Sequence, residues 1–155
     1  MRTSSQTFAA ALVLAAGLAC ITTSTRADVV PQQPVALAKL FDAFPGVRMS
    51  APRGVPQMFY GVPMSAGETP DLAVQQWLAD FEESFGAGTL ELAFDRNTEV
   101  NHGKFNAVVY NQMMDGVPVE MGAVRLLVLN APTKEDPTTL AHRVVMATAR
   151  VATRP

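Results

Sequence analysis

The apolar positions of this chain change period along its length. Val74, Trp77, Leu78, Phe81 and Phe85 stand at i, i+3, i+4, i+7 and i+11, a single stripe on a helix predicted over residues 70–85. Thr69 is placed to cap that helix, Pro70 suits its first position, and Asp71 lies where the helix dipole favours an acid. Gly86 and Gly88 end it. Gln75, Gln76, Asp80, Glu82 and Glu83 fall largely outside the stripe, so a solvated face is expected for the three carboxylates rather than a catalytic pair.

Beyond Gly88 the period becomes two. Leu90, Leu92 and Phe94 alternate with Glu91 and Asp95, and Phe105, Ala107 and Val109 alternate with Asn106 and Tyr110. Val124, Leu126 and Val128 form a third run; Val145, Ala147, Ala149 and Val151 form a fourth, within residues 142–151. Upstream the pattern is weaker. Val35, Leu37, Leu40, Phe41 and Phe44 mark a short helix that ends before Pro45-Gly46. Residues 47–67 are rich in Pro and Gly, with β-like pieces such as Gln57-Met58-Phe59-Tyr60. Proline lacks a ladder donor, so those pieces are expected only as edge strands or bulged segments. The expected fold is α+β: an antiparallel sheet of about four main strands packed on one amphipathic helix, with a short N-terminal helix and edge-strand segments.

The first residues follow a different logic. Arg2 and the apolar run from Phe8 to Ala19 have the form of an export signal, and that run is shorter than the roughly 20 residues a bilayer span needs. Thr25-Arg26-Ala27 places small residues for cleavage before Asp28, which gives a leader over 1–27, a lead-in with the short helix over 28–45, and the main domain over 46–152. An alternative is a lipoprotein acylated at Cys20, although Gly17 stands where a larger aliphatic is usual. Removing Arg2 and Arg26 from the 12 basic residues leaves ten against 14 acids, a net charge of −4 that disfavours a nucleic-acid partner. Cys20 is the single cysteine, so the exported domain is expected to lack disulfides, thiol chemistry and cysteine-based zinc sites.

Candidate chemistry is sparse. His102, between two strands, and His142, at the start of the last, lack a third ligand at recognisable spacing, and no metalloprotease, serine-hydrolase or phosphate-loop motif occurs. An enzyme would require His102, His142, Asp95 and Asp115 to converge. Lys134-Glu135-Asp136, between Pro132 and Pro137, is expected as an exposed loop tip. Methionines are spread through the chain; Met113 and Met114 are adjacent, so on a strand one of them faces outward and is a candidate partner contact.

The most specific local pattern is the stretch from Tyr110 to Leu126. Asp115-Gly116 between apolar runs is a strong hairpin signal, because both central residues of a type I′ turn need positive φ. Tyr110, Gln112, Gly116, Pro118, Val119 and Gly122 together resemble the fungalysin/thermolysin propeptide domain, a relative of PepSY domains. The resemblance extends over the preceding helix, the strand from Leu90 to Phe94 and the closing strand. Met114 departs from it where an aromatic is usual, and Met121 where a small residue is usual. The resemblance implies a non-catalytic domain without cofactor or metal that binds, inhibits or chaperones a secreted zinc metalloprotease. With no protease domain after Val151, that action is expected in trans. The alternatives are a generic exported binding or scaffold module, or the N-terminal part of a longer precursor.

Overall fold

The computed structural model describes residues 32–86, 88–133 and 139–152. The expected leader, Cys20 and the loop tip Lys134-Glu135-Asp136 lie outside them. Helix α1 spans Gln32–Ala43 and α2 spans Pro70–Phe81, followed by a 3-10 turn over Glu82–Phe85. The strands are β1 (Arg48–Ser50), β2 (Met58–Tyr60), β3 (Glu91–Val100), β4 (Phe105–Met114), β5 (Val117–Pro132) and β6 (Leu140–Arg150). All pairings are antiparallel, in the order β1-β2-β6-β5-β4-β3.

This architecture corrects the expectation of four strands on one helix. Among the described residues the sheet is continuous and six-stranded, and two helices of equal length accompany it. The prolines of residues 47–67 concealed β1 and made the β-like piece at Met58–Tyr60 read as an edge, because Pro52, Pro56 and Pro63 flank Arg48–Ser50 and Met58–Tyr60 without entering them. β2 is no edge: it lies between β1 and β6, pairing Phe59 with Met49 and Ala147. The chain continues along β6, where Met64 N–H donates to Val144 O (2.7 Å) and Gly67 N–H to His142 O (2.9 Å).

Thr69 caps α2 by accepting from Leu72 N–H (3.2 Å), with Pro70 and Asp71 behind it in the first turn. The stripe of α2 faces the sheet: Ala73, Val74 and Trp77 are fully buried, with Leu78 and Phe81 almost so. Phe59, Trp77, Phe81 and Phe85 form a packed aromatic group with centroids 5.2–6.4 Å apart in the pairs Phe59–Phe85, Trp77–Phe85, Trp77–Phe81 and Phe59–Trp77. α1 rests on the 3-10 turn and the end of α2: Ser84 Oγ of the turn donates to Ala36 O (3.3 Å), and Lys39 Nζ donates to Asp80 O of α2 (3.0 Å).

The register assigns every sheet side chain to a face. Val108, Val124, Leu126, Val128, Val144 and Ala147 belong to the core under α2. Their neighbours along each strand, among them Val109, Leu127, Leu129 and Met146, face the other way, where the described residues place no helix. α2 lies across β4, β5 and β6, so β3 extends past the helix.

Candidate functional site

The hairpin residues build a bulge. Asp115 (φ 52°) and Gly116 (φ 76°) both adopt the left-handed conformation that a type I′ turn requires, and Gly116 N–H donates to Glu91 Oε1 (3.2 Å). Beyond the turn Met113 pairs with Pro118, yet Asn111 pairs with Ala123, so residues 119–122 loop out opposite Gln112 alone. This excursion removes β5 from beside the end of β6, and the Gln112 side chain fills the gap. Its Nε2 donates to Ala152 O (2.8 Å) and its Oε1 accepts from Ala152 N–H (2.8 Å), the two bonds a neighbouring strand would supply. Gln112 is buried. Gly122 allows that approach: a Cβ there would lie 2.9 Å from Gln112 Oε1 and from Val119 Cβ. Met121 takes the strained φ of 60° within the bulge and is exposed. Gln112, Gly116, Pro118, Val119 and Gly122 thus all lie in the turn and bulge or directly against them.

Tyr110 also lines a groove. It pairs with Phe94 across β3 and β4, and the two rings meet edge to face at 5.7 Å and 78°. Because α2 stops short of β3, a groove of about 540 Å³ opens between Asp71, Gln75 and Leu78 of the helix and Leu92, Phe94 and Tyr110 of the sheet. Phe94 is 58% exposed, whereas Leu92 and Tyr110 are half-buried. Burial, and secondarily the negative charge of Asp71, raises the Tyr110 hydroxyl above its ordinary pKa, so it stays a neutral donor and acceptor. Among the described residues β3 is the last strand of the sheet, and its outer backbone edge has no partner strand there. A bulge at Asp95, which is ion-paired to Arg96, interrupts it once.

Met113 and Met114 are both half-buried, Met113 opposite Glu91 and Pro118, and Met114 opposite Val117. Neither lines the groove. The exposed apolar residue beside it is Phe94, which alternation alone assigns to the core face; its exposure follows from the overhang of β3 past α2.

The remaining candidates do not converge on a reaction centre. His102 (φ 53°) sits in the β3–β4 turn, and Asp115 in the β4–β5 turn. His142 lies in β6 at the end of a polar ladder on the helix side of the sheet. Asn97 Nδ2 donates to Asp71 Oδ1 (3.0 Å), Asn106 Nδ2 to Asn97 Oδ1 (2.8 Å), and Asn130 Nδ2 to Asn106 Oδ1 (2.6 Å). Asn130 Nδ2 also reaches Gly103 O, which leaves Asn130 Oδ1 to accept from His142 Nδ1 at 2.7 Å. Burial lowers the His142 pKa, which favours the neutral ring with its proton on Nδ1. The ladder satisfies polar groups where the apolar core ends.

Asp80, Glu82 and Glu83 line a shallow groove with Val35, Ala36 and Lys39 of α1. Asp80 is engaged by Gln76 Nε2 (2.6 Å) and Lys39 Nζ (3.7 Å). Burial raises the Glu82 pKa, against the opposing effect of the Leu90 N–H that its carboxylate accepts. Among the described residues no group of three or more His, Cys, Asp or Glu is placed to hold a metal ion, and no helix is long and apolar enough to cross a membrane. No family model matches the chain, and neither a curated protein nor a solved structure matches it.

Proposed function

We propose that this chain is an exported, non-catalytic binding domain of propeptide type that captures an extended segment of a secreted zinc metalloprotease and restrains or chaperones that enzyme. The observation that carries the reading is the apolar groove beside the open edge of β3. A segment added to that edge would gain main-chain hydrogen bonds, and every second side chain would fall over Leu92 and Phe94 into the groove. Tyr110 joins the two arguments, because it belongs to the propeptide-like motif and forms part of the groove wall. The leader-like residues 1–27 support export.

The test is kinetic. Purified protein is titrated into a thermolysin-like zinc protease from the same organism, and both peptide cleavage and the yield of active enzyme after refolding are followed. Slowed cleavage or a raised refolding yield is expected. Unchanged cleavage together with unchanged yield would refute the protease assignment.

A further inference from the structure

The sheet face opposite the helices carries an unbalanced charge. Register places Arg48, Arg96, Arg125, Arg143 and Arg150 on it, five of the six arginines among the described residues. Arg125 pairs with Val109 on one side and Thr148 on the other; Leu129 stands beside Arg143, and Leu127 beside Met146. An apolar centre is therefore bordered by guanidinium groups. The four cross-strand rows that run from Arg150 to Arg143 pair no acid; Asp95 sits in the β3 bulge beside Arg96, and Glu91 lies one row beyond. Among the described residues only Arg96 of the five has an ion pair, with Asp95. The whole chain is nonetheless negative, with a formal charge of −2, and Asp42, Asp80, Glu82 and Glu83 lie on the helices and the 3-10 turn.

We propose that this face docks an acidic protein surface with an apolar centre, presented by a partner. Charge complementarity identifies the occupant. Arginine stems commonly roof an open sheet, but roofing needs only the stems and is served equally by mixed charge. It leaves the excess of arginines over acids, five against Asp95 and Glu91, unexplained. A symmetric dimer through this face would set arginines against arginines. Insertion into a bilayer needs protruding apolar tips, whereas Leu127, Leu129 and Met146 are half-buried and Val109 is buried. This surface lies on the opposite side of the sheet from the β3 groove, and the proposal does not rest on it.

The test uses fluorescence anisotropy with a labelled helical peptide that carries a leucine stripe flanked by glutamates. Comparison probes are the same peptide with lysine for glutamate and vesicles containing phosphatidylglycerol. The purified protein is expected to bind the acidic peptide in preference to both. Arg125→Glu/Arg143→Glu is expected to weaken that binding roughly tenfold or more, since it reverses two charges that border the apolar centre. Arg53→Glu, in the β1–β2 connection and outside the strands that make the face, should bind as the unaltered protein does. Should the double variant melt early, Arg150→Glu at the exposed strand end provides the comparison, with about a threefold loss expected. Absence of binding, equal binding of the lysine peptide, or binding indifferent to these reversals would overturn the proposal. Preference for the vesicles would overturn it in favour of a membrane surface.

Discussion

Replacing Gln112 with Ala tests how the end of the chain is held. The side chain makes two 2.8 Å hydrogen bonds to the backbone of Ala152, 40 residues away in sequence, and is only 3% exposed. Each bond contributes about 1 kcal/mol net, and the buried amide leaves a small void when removed. Ala152 is itself exposed, so water can rehydrate its freed groups, which keeps the desolvation cost at the low end. The expected loss is about 2–3 kcal/mol. Gln112→Glu separates the two bonds: its carboxylate still accepts from Ala152 N–H but faces Ala152 O with no donor. It should also be destabilised, and less so at acid pH, where the carboxyl regains a proton. Urea unfolding measures each loss. Repeating Gln112→Ala in a chain that stops after Val151 completes a double-mutant cycle, and a coupling of about 1–2 kcal/mol is expected. A loss below about 0.5 kcal/mol, or an equal loss in the shortened chain, would refute the surrogate-strand role of Gln112.

Gly122→Ala should cost about 1–3 kcal/mol in urea unfolding, because its Cβ would stand 2.9 Å from Gln112 Oε1 and Val119 Cβ. Much of that cost should disappear in a Gln112→Ala background if the clash is with the amide. Trp77→Ala should cost about 3–5 kcal/mol by opening the centre of the aromatic group, measured by thermal or urea unfolding. Trp77→Phe should be milder, since the buried Trp77 Nε1 has no hydrogen-bond partner to lose. Burial raises the Glu82 pKa in the folded state, so the folded protein holds this proton more tightly than the unfolded chain, and stability falls as pH rises from about 4.5 through the raised value. Glu82→Gln should therefore be more stable than the parent at neutral pH, with the difference fading below the unfolded value, as urea midpoints across pH would show.

The parts of this fold that were legible in the sequence depend on neighbours in the chain. Thr69-Pro70-Asp71 marks the start of α2 because capping, proline placement and dipole compensation are all local. Its end was less visible: the apolar stripe continues to Phe85, but Phe81 leaves helical geometry (φ −137°, ψ 3°) and the last turn tightens to 3-10. Asp115-Gly116 was legible as a turn for the same local reason. β1 was hidden because it is only three residues long, and the place of β2 inside the sheet because its second partner is distant, residues 146–148 of β6. Nor could alternation foretell that Phe94 would be exposed, since that depends on how far α2 reaches across the sheet. The arginine face also emerges only from register, which brings Arg48 and Arg96 to opposite ends of one surface.

Hydrogen exchange at β3 tests the binding reading most directly. Backbone amides of Glu91–Val100 on the outer edge have no partner strand among the described residues and should exchange readily in the free protein. Mixed with a secreted thermolysin-like protease, these amides should become protected, and Phe94→Asp should abolish the protection while leaving that of β5 unchanged. Protection that fails to develop at β3, or that persists undiminished in Phe94→Asp, would contradict capture of a partner segment along this edge.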